Sequence, residues 1–296
     1  MPGVQTCETL VRRVQGGHDC PARDLLAVEE PLEIRVVVGD GATVAPRTVA
    51  VTMRTPGHDA ELAVGFLLAE GVLRDDAPPR AVQVEPAPVG VLGAAGSVTV
   101  HLAGDGPTLA PLARHSYTSS ACGVCGRVSL DALLAAAARP LPAGAPPIDA
   151  ALVHALPAAL RRAQPVFADT GGLHAAALFD AAGRLLALRE DVGRHNAVDK
   201  VVGARLLAGA LPAHDGVLLV SGRASFELVQ KAVAAGIPVL AAVGAPSSLA
   251  VELAAAAGMT LLGFVRDGRF NVYADADRVR AAGAAAAAPA LEEVMA

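Results

Sequence analysis

The sequence predicts an α/β protein, α+β overall, built from two structural units. Three observations predict it. Short, wholly apolar runs at Val217–Val220, Pro238–Val243 and Thr260–Val265 alternate with helical patterns at Gly193–Leu207, Phe226–Ala235 and Leu249–Ala257, the signature of a largely parallel sheet covered on both faces. Gly236 and Gly258 stand where two of those helices must stop. The run Pro140–Pro147 (PLPAGAPP) is incompatible with regular structure and divides a chain of 296 residues, long for one core.

Taken in order, residues 1–30 read as an N-terminal arm without a clear apolar pattern. The N-terminal mixed α/β domain spans 31–115. It opens with a strand at Pro31–Val38 and its partner at Thr48–Met53. The turn Arg54-Thr55-Pro56-Gly57-His58-Asp59 starts a helix that Thr55 or Asp59 is expected to cap. Leu62, Phe66 and Leu67 of that helix face inward, and Gly71 ends it. Residues 74–96 are rich in Pro, Ala and Gly, and lead into a strand at Ser97–Leu102. A cysteine loop and linker occupy 116–147, with a short alanine-rich helix at Leu130–Ala138. The C-terminal domain spans 148–277. It begins with a helix at Ala150–Arg162, followed by a hairpin of Ala175–Phe179 with Leu185–Arg189. Asn271–Ala274 supplies a last short strand, and an alanine-rich tail covers 278–296.

Composition narrows the function. Hydrophobic residues make up 53% of the chain, but aromatics only 3%, too few for a base-stacking surface. The net charge is -5 and no Lys/Arg run stands out, so nucleic acid is not an expected partner. The first thirty residues carry scattered charges with no apolar core of a signal segment, and the longest uncharged stretch, 232–251, is broken by Gly and Pro. A cytoplasmic protein without a membrane segment is expected. Four cysteines do not make a disulfide scaffold in a chain of this size.

Chemistry concentrates in a few places. Ser119-Ser120-Ala121-Cys122-Gly123-Val124-Cys125-Gly126 holds two thiols between glycines and small polar residues, which suits an accessible loop. Two thiols at this spacing can share a metal, form a reversible disulfide or carry sulfur as a persulfide. A structural zinc needs four ligands, and no second Cys pair lies nearby, so no metal site is expected. Arg127 and His115 are the nearest cationic candidates in sequence.

A second group is Arg189-Glu190-Asp191-Val192-Gly193-Arg194-His195-Asn196, at a helix start. Arg194 and His195 there can reinforce an anion site made by free N–H groups, and the alternative is a solvated start capped by Asp191. Three strand-to-helix or strand-end loops complete the set: Ser221-Gly222-Arg223, Gly244–Ser248, and Phe264-Val265-Arg266-Asp267-Gly268-Arg269. In a parallel sheet they share the carboxyl edge, where ligands bind, and their hydroxyls and arginines suit phosphates. His174, in Asp169–Ala176, follows two glycines and reads as structural or catalytic.

Several of these motifs in this order resemble the FdhD/NarQ family of formate dehydrogenase accessory sulfurtransferases. The resemblance rests on Arg54–Asp59 with Gly65-Phe66-Leu67, Cys122–Gly126, Thr170–His174, Glu190–Lys200, Ser221-Gly222-Arg223, Gly263–Arg266 and Asn271-Val272-Tyr273. It implies a sulfurtransferase that takes persulfide sulfur from a cysteine desulfurase. The sulfur goes to the bis-molybdopterin guanine dinucleotide molybdenum cofactor for the catalytic subunit of formate dehydrogenase. It implies Cys122 as the persulfide carrier, assisted or resolved by Cys125, and cofactor contacts from Phe264 to Arg269. With these, Ser221, Arg223, Arg194 and His195 form the expected cofactor-binding set. A homodimer and a cytidine-deaminase-like, three-layer C-terminal domain are also implied. Deamination itself is excluded: His174-Ala175-Ala176 lacks the glutamate of an H-x-E motif, and the only C-x-x-C precedes the histidine. A cofactor-binding chaperone without sulfur chemistry is the alternative.

Overall fold

The computed structural model describes residues 4–39, 44–74, 78–88, 94–102 and 141–280. Cys122, Cys125, His115, Arg127 and the expected helix at 130–138 lie outside them. Among the described residues no helix is long and apolar enough to cross a membrane.

Residues 1–30 depart from the expected arm. Thr6–Gln15 (β1) and His18–Ala27 (β2) form a two-stranded antiparallel ribbon. Its turn is Gly16-Gly17, with φ of 58° and 82°, the two-residue geometry that matches strand twist and that glycine tolerates. The ribbon was hidden because its strands are exposed on both faces, so no apolar alternation marks them.

The first lobe is a four-stranded sheet ordered β4-β3-β6-β5: Glu30–Val38 (β3), Arg47–Arg54 (β4), Ala81–Glu85 (β5) and Gly96–Leu102 (β6). β3 runs parallel to β6 and antiparallel to β4. Leu32, Ile34 and Val36 face inward at the period of two that the sequence shows. Within the Pro-, Ala- and Gly-rich 74–96, β5 is a short edge strand of mostly exposed residues, recruited by pairing with β6 rather than by burial. Helix α1 (Asp59–Ala69) buries Leu62 and Leu67 in the lobe's core and ends where Gly71 takes φ 69°. Its cap differs from expectation. His58 is the N-cap, with no side-chain cap bond, because Asp59 and Thr55 are engaged elsewhere.

The second lobe holds a six-stranded sheet ordered β13-β12-β11-β10-β8-β9. Its strands are His174–Asp180 (β8), Leu185–Asp191 (β9), Gly216–Val220 (β10), Val239–Ala242 (β11), Thr260–Arg266 (β12) and Arg269–Ala274 (β13). The apolar strands β10, β11 and β12 are the parallel centre, and antiparallel hairpins flank them. Alternate residues of β10 enter two different cores. Val217 and Leu219 meet helix α2 (Ala150–Arg162) through Val153, Leu156 and Leu160. Leu218 and Val220 meet the opposite layer, helices α4 (Arg194–Leu207), α5 (Phe226–Ala234) and α6 (Ser248–Ala256). Between α2 and β8 lies a short helix, α3 (Pro165–Thr170).

The second lobe also extends past the expected ends at 148 and 277. Arg278 is fully buried and donates to the carbonyls of Pro142, Ala145 and Gly258. Val279–Arg280 (β14) pairs with Ile148–Asp149 (β7). The last residues of the expected linker, 141–147, are therefore fastened to the lobe.

The lobes share one core: Leu32, Leu62 and Val98 belong to the same cluster as Val198, Leu218 and Leu240. α1 crosses α4 through two glycines. A Cβ on Gly65 would lie 1.9 Å from the Asp199 carbonyl oxygen, and one on Gly203 would lie 1.9 Å from that of Glu61. A buried polar network locks the crossing. Lys200 Nζ bonds Asp191 Oδ2 at 2.7 Å and the Thr55 carbonyl at 2.8 Å, with both charged side chains fully buried. Thr55 N donates to Asp191, and Val192 N donates to Thr55 Oγ1. Arg54 forks onto Asp59 and reaches Glu30.

Candidate functional site

Because β10, β11 and β12 are parallel, their carboxyl ends adjoin, as the sequence implied. The loops there are stepped against one another. Gly244 N donates to Gly222 O, Ala224 N to Ala245 O, Ser247 N to Ala224 O, and Phe264 N to Gly244 O, at 2.9–3.2 Å. The glycines permit this. A Cβ on Gly244 would press on Gly222 O and Arg223 at 3.1–3.2 Å, and one on Gly263 would meet the Tyr273 ring at 2.7 Å. Arg223 is exposed along this step.

The segment 264–269 divides by burial. Val265 is fully buried in the core under α2, so its side chain is not available to a ligand. Phe264 adopts φ 53°, and its ring lies 5.6 Å from the Arg266 guanidinium. Asp267 and Gly268 form the two-residue turn, both left-handed. That turn sets Arg266 directly opposite Arg269 across the hairpin, with both exposed. Like charges so placed repel, and an anion between them relieves the repulsion.

The Glu190–Asn196 motif splits into a structural half and a site half. Glu190, pushed up by burial against the pull of its backbone partners, accepts from the free N–H groups of Val166 and Phe167 at 3.1 and 2.7 Å and so seats α3. Asp191 holds Gly193 N and Asn196 as well as the lobe-joining partners. Gly193, not Asp191, is the N-cap of α4. Arg194 and His195 stay half-exposed at its first turn. His195 Nε2 lies 3.3 Å from Ser225 Oγ and 3.8 Å from Glu227. The His195 imidazole beside it, outweighing burial, holds the Glu227 carboxyl down at about 2. Arg194 Nε is buried and has no acceptor among the described residues.

His174 ties these parts together. Its ring packs against Gly222, 3.6 Å from where a Cβ would stand. Burial lowers its pKa, and the positive charge of Arg194 lowers it further, which favours the neutral imidazole. Ser221 is anchored beside it, with Oγ accepting from Ala175 N at 2.9 Å. Both line a cleft of about 510 Å³ whose far wall is Leu160 and Arg161 of α2 with Gln164 and Phe167 at α3. Arg161 stacks on the Phe167 ring at 4.1 Å. Of the expected set Ser221 lines this cleft, and Arg161, Gln164 and Phe167 were not expected there. The Glu190 contact across the fold seats Phe167 and α2 carries Arg161, and no local pattern announces either.

This is a protein with an anion-receptive rim: arginines, hydroxyls, a neutral histidine and an aromatic wall at the carboxyl edge of a three-layer α/β lobe. The FdhD/NarQ family profile matches residues 27–280, and the chain belongs to that family. It is 50% identical over 283 residues to a sulfur carrier protein FdhD of Mycobacterium tuberculosis, covering 94% of this chain and 99% of the relative. It is 51% identical to one of Streptomyces avermitilis (93% and 96% covered) and 52% identical to one of Anaeromyxobacter dehalogenans strain 2CP-C (87% and 89% covered). A crystal structure described as a formate dehydrogenase accessory protein from Desulfotalea psychrophila superposes with a TM-score of 0.71. It is 24% identical and covers 94% of this chain and 100% of that one, a likeness of fold.

Proposed function

We propose that this protein is a sulfur carrier serving formate dehydrogenase maturation. It accepts sulfur from a cysteine desulfurase and delivers it to the bis-molybdopterin guanine dinucleotide molybdenum cofactor, held as cargo. The observation that carries the reading is near-full-length identity of about half to relatives named sulfur carrier proteins. Cys122 attacks the terminal sulfur of the desulfurase persulfide, and the desulfurase cysteine leaves as a thiolate. Cys125 then attacks Cys122 Sγ: the Cys122–Cys125 disulfide forms, and the terminal sulfur departs as sulfide with the electron pair of the broken S–S bond. That sulfide becomes a ligand of the molybdenum.

The rim supports the cargo assignment. The unmatched Arg194 donor and the opposed Arg266 and Arg269 suit phosphates, and Phe167 under Arg161 offers a flat face to a heterocycle. Neutral His174 can accept or donate a hydrogen bond beside Ser221 without adding charge.

Three measurements test the proposal. Mass spectrometry of the Cys122–Cys125 peptide after incubation with a desulfurase and cysteine should show the mass of one added sulfur. An unmodified peptide under conditions of active transfer refutes the carrier role. The variant C122A should bind cofactor yet fail to mature formate dehydrogenase; full maturation would leave a cofactor-binding chaperone as the function. Binding of a guanine nucleotide should weaken in R266A/R269A, and unchanged affinity would remove these arginines from the site.

A further inference from the structure

Helices α4 and α5 face each other through four ionisable side chains set one turn apart. On α4 these are His195 and Asp199, and on α5 they are Glu227 and Lys231. They form two rungs. Lys231 Nζ bonds the two Asp199 oxygens at 2.7 and 2.9 Å, and this rung is buried. His195 Nε2 lies 3.8 Å from Glu227 Oε2, and this rung is half-exposed at the rim, where both helices begin. The buried rung already sets the spacing of the helices, so the outer one is not needed to join them.

Ser225 stands between His195 and Glu227. It is the N-cap of α5, yet its side chain makes no cap bond. Its hydroxyl lies 3.3 Å from His195 Nε2 instead, and bonds the Glu227 carboxylate. The directions of these bonds are forced. His195 first, and Ser225 after it, hold the Glu227 carboxyl down at about 2 against the pull of burial, so near neutral pH it is ionised and only accepts. Ser225 must therefore give its one proton to Glu227. That turns an oxygen lone pair toward His195, and Nε2 must carry a hydrogen to meet it. The neutral ring is thus the Nε2–H tautomer, which leaves Nδ1 as the nitrogen through which the ring meets a ligand. A bare Nδ1 repels the oxygen of an anion, whereas a protonated one donates to it.

We propose that Glu227 is a positioning residue of the anion-receptive rim: through Ser225 it fixes the orientation and tautomer of His195, so that His195 holds an anion only as the doubly protonated imidazolium. The inference rests on the placing of His195 in the cofactor-binding set. It adds that phosphate binding at the rim is coupled to a proton taken from solvent onto Nδ1. By simple charge a carboxylate beside an anion site weakens binding; as a positioning group it strengthens binding, so the two roles differ in sign. The charged and titratable groups around His195 are His174, Arg194, Asp199 and Glu227. Asp199, which also faces Lys231 and Glu70, is pushed up to about 6 by burial. Effects of pH are therefore read as differences from H195N, which removes only the imidazole.

The test uses the full-length protein, with inorganic sulfate as the probe because its charge is constant where an imidazole titrates. Ring-nitrogen NMR at alkaline pH should show His195 as the Nε2–H tautomer in the parent and in E227Q, which keeps an acceptor for Ser225. E227A and S225A should each show a mixture with the Nδ1–H form. Sulfate affinity should fall as pH rises through the imidazole range, and H195N should lack that fall. At the acid side of the range E227A should bind sulfate about tenfold more weakly than the parent, and E227Q within about threefold of it. An affinity unchanged or raised in E227A, or a tautomer unchanged in both E227A and S225A, overturns the proposal. If H195N binds sulfate as the parent does, His195 leaves the cofactor-binding set and the proposal falls with it. A weakened H195N beside an unaltered E227A overturns the positioning role alone. The persulfide measurement on Cys122 is independent of both.

Discussion

Replacing Gly203 by alanine tests what holds the two lobes together. In an ordinary exposed helix this change stabilises by about 1 kcal/mol, because alanine loses less backbone entropy on folding. Here the new methyl would stand 1.9 Å from the Glu61 carbonyl oxygen, about 1.5 Å short of ordinary contact, and 2.9 Å from Gly65 N. Both obstacles are backbone, so no rotamer change relieves them, and α1 and α4 must move apart. Overpacking against such a wall costs about 3 kcal/mol, at the upper end of its usual range. The net loss is about 2 kcal/mol, equivalent to a fall in Tm of about 4–8 °C for a chain of this size. G65A meets the Asp199 carbonyl at the same distance and should behave alike. In the double variant the losses should be less than additive, because the second methyl enters space the first has opened. Urea denaturation followed by circular dichroism measures all three. If either single variant is as stable as the parent, the crossing is looser than described and the glycines are not there for close approach.

Other outcomes follow from the same contacts. D191N leaves Lys200 fully buried without its carboxylate and should cost about 3–5 kcal/mol. K200M should cost less, because Asp191 keeps donors from Thr55, Gly193 and Asn196. Chemical denaturation of the pair decides between a charge-centred and a hydrogen-bond-centred lock. Burial works to raise the Glu61 pKa, but hydrogen bonds from Arg189 and His58 override it and hold the carboxyl at about 2. Glu227 is held equally low by His195. Folded pKa values below the ordinary 4.5 mean that this stabilisation is complete above about pH 4.5 and is lost as pH falls toward 2. Stability against pH should therefore drop over that window, and E61Q should flatten the drop; an unchanged slope would show the Arg189 pairing to be immaterial.

Much of this was written locally. Apolar runs of four to six residues between glycine-stopped helices specify the three parallel strands, since an element buried on both faces must be apolar throughout. Parallel strands in turn bring Ser221, Arg223 and the 264–269 turn to one edge, so their convergence was legible before any contact was known. The elements that escaped, the β1–β2 ribbon and β5, are exposed, and exposure erases the alternation that marks a strand.

What only the tertiary structure decided is how polar residues were divided between bracing and binding. Thr55, Asp59, Glu190 and Asp191 look from the sequence like helix caps or site residues. Folding commits them to other partners: Lys200 and Val192 for Thr55 and α3 for Glu190, far along the chain, and the nearby Arg54 for Asp59. A carboxylate's partner is set by which backbone arrives beside it, and that depends on the helix crossing at Gly65 and Gly203. The sequence by itself determined the class of fold, the family and the edge on which these loops converge. The packed structure decided that Val265 faces the core, that Arg194 keeps an unmatched donor, and that Arg161 and Phe167 close the cleft, because each depends on contacts between segments distant in sequence.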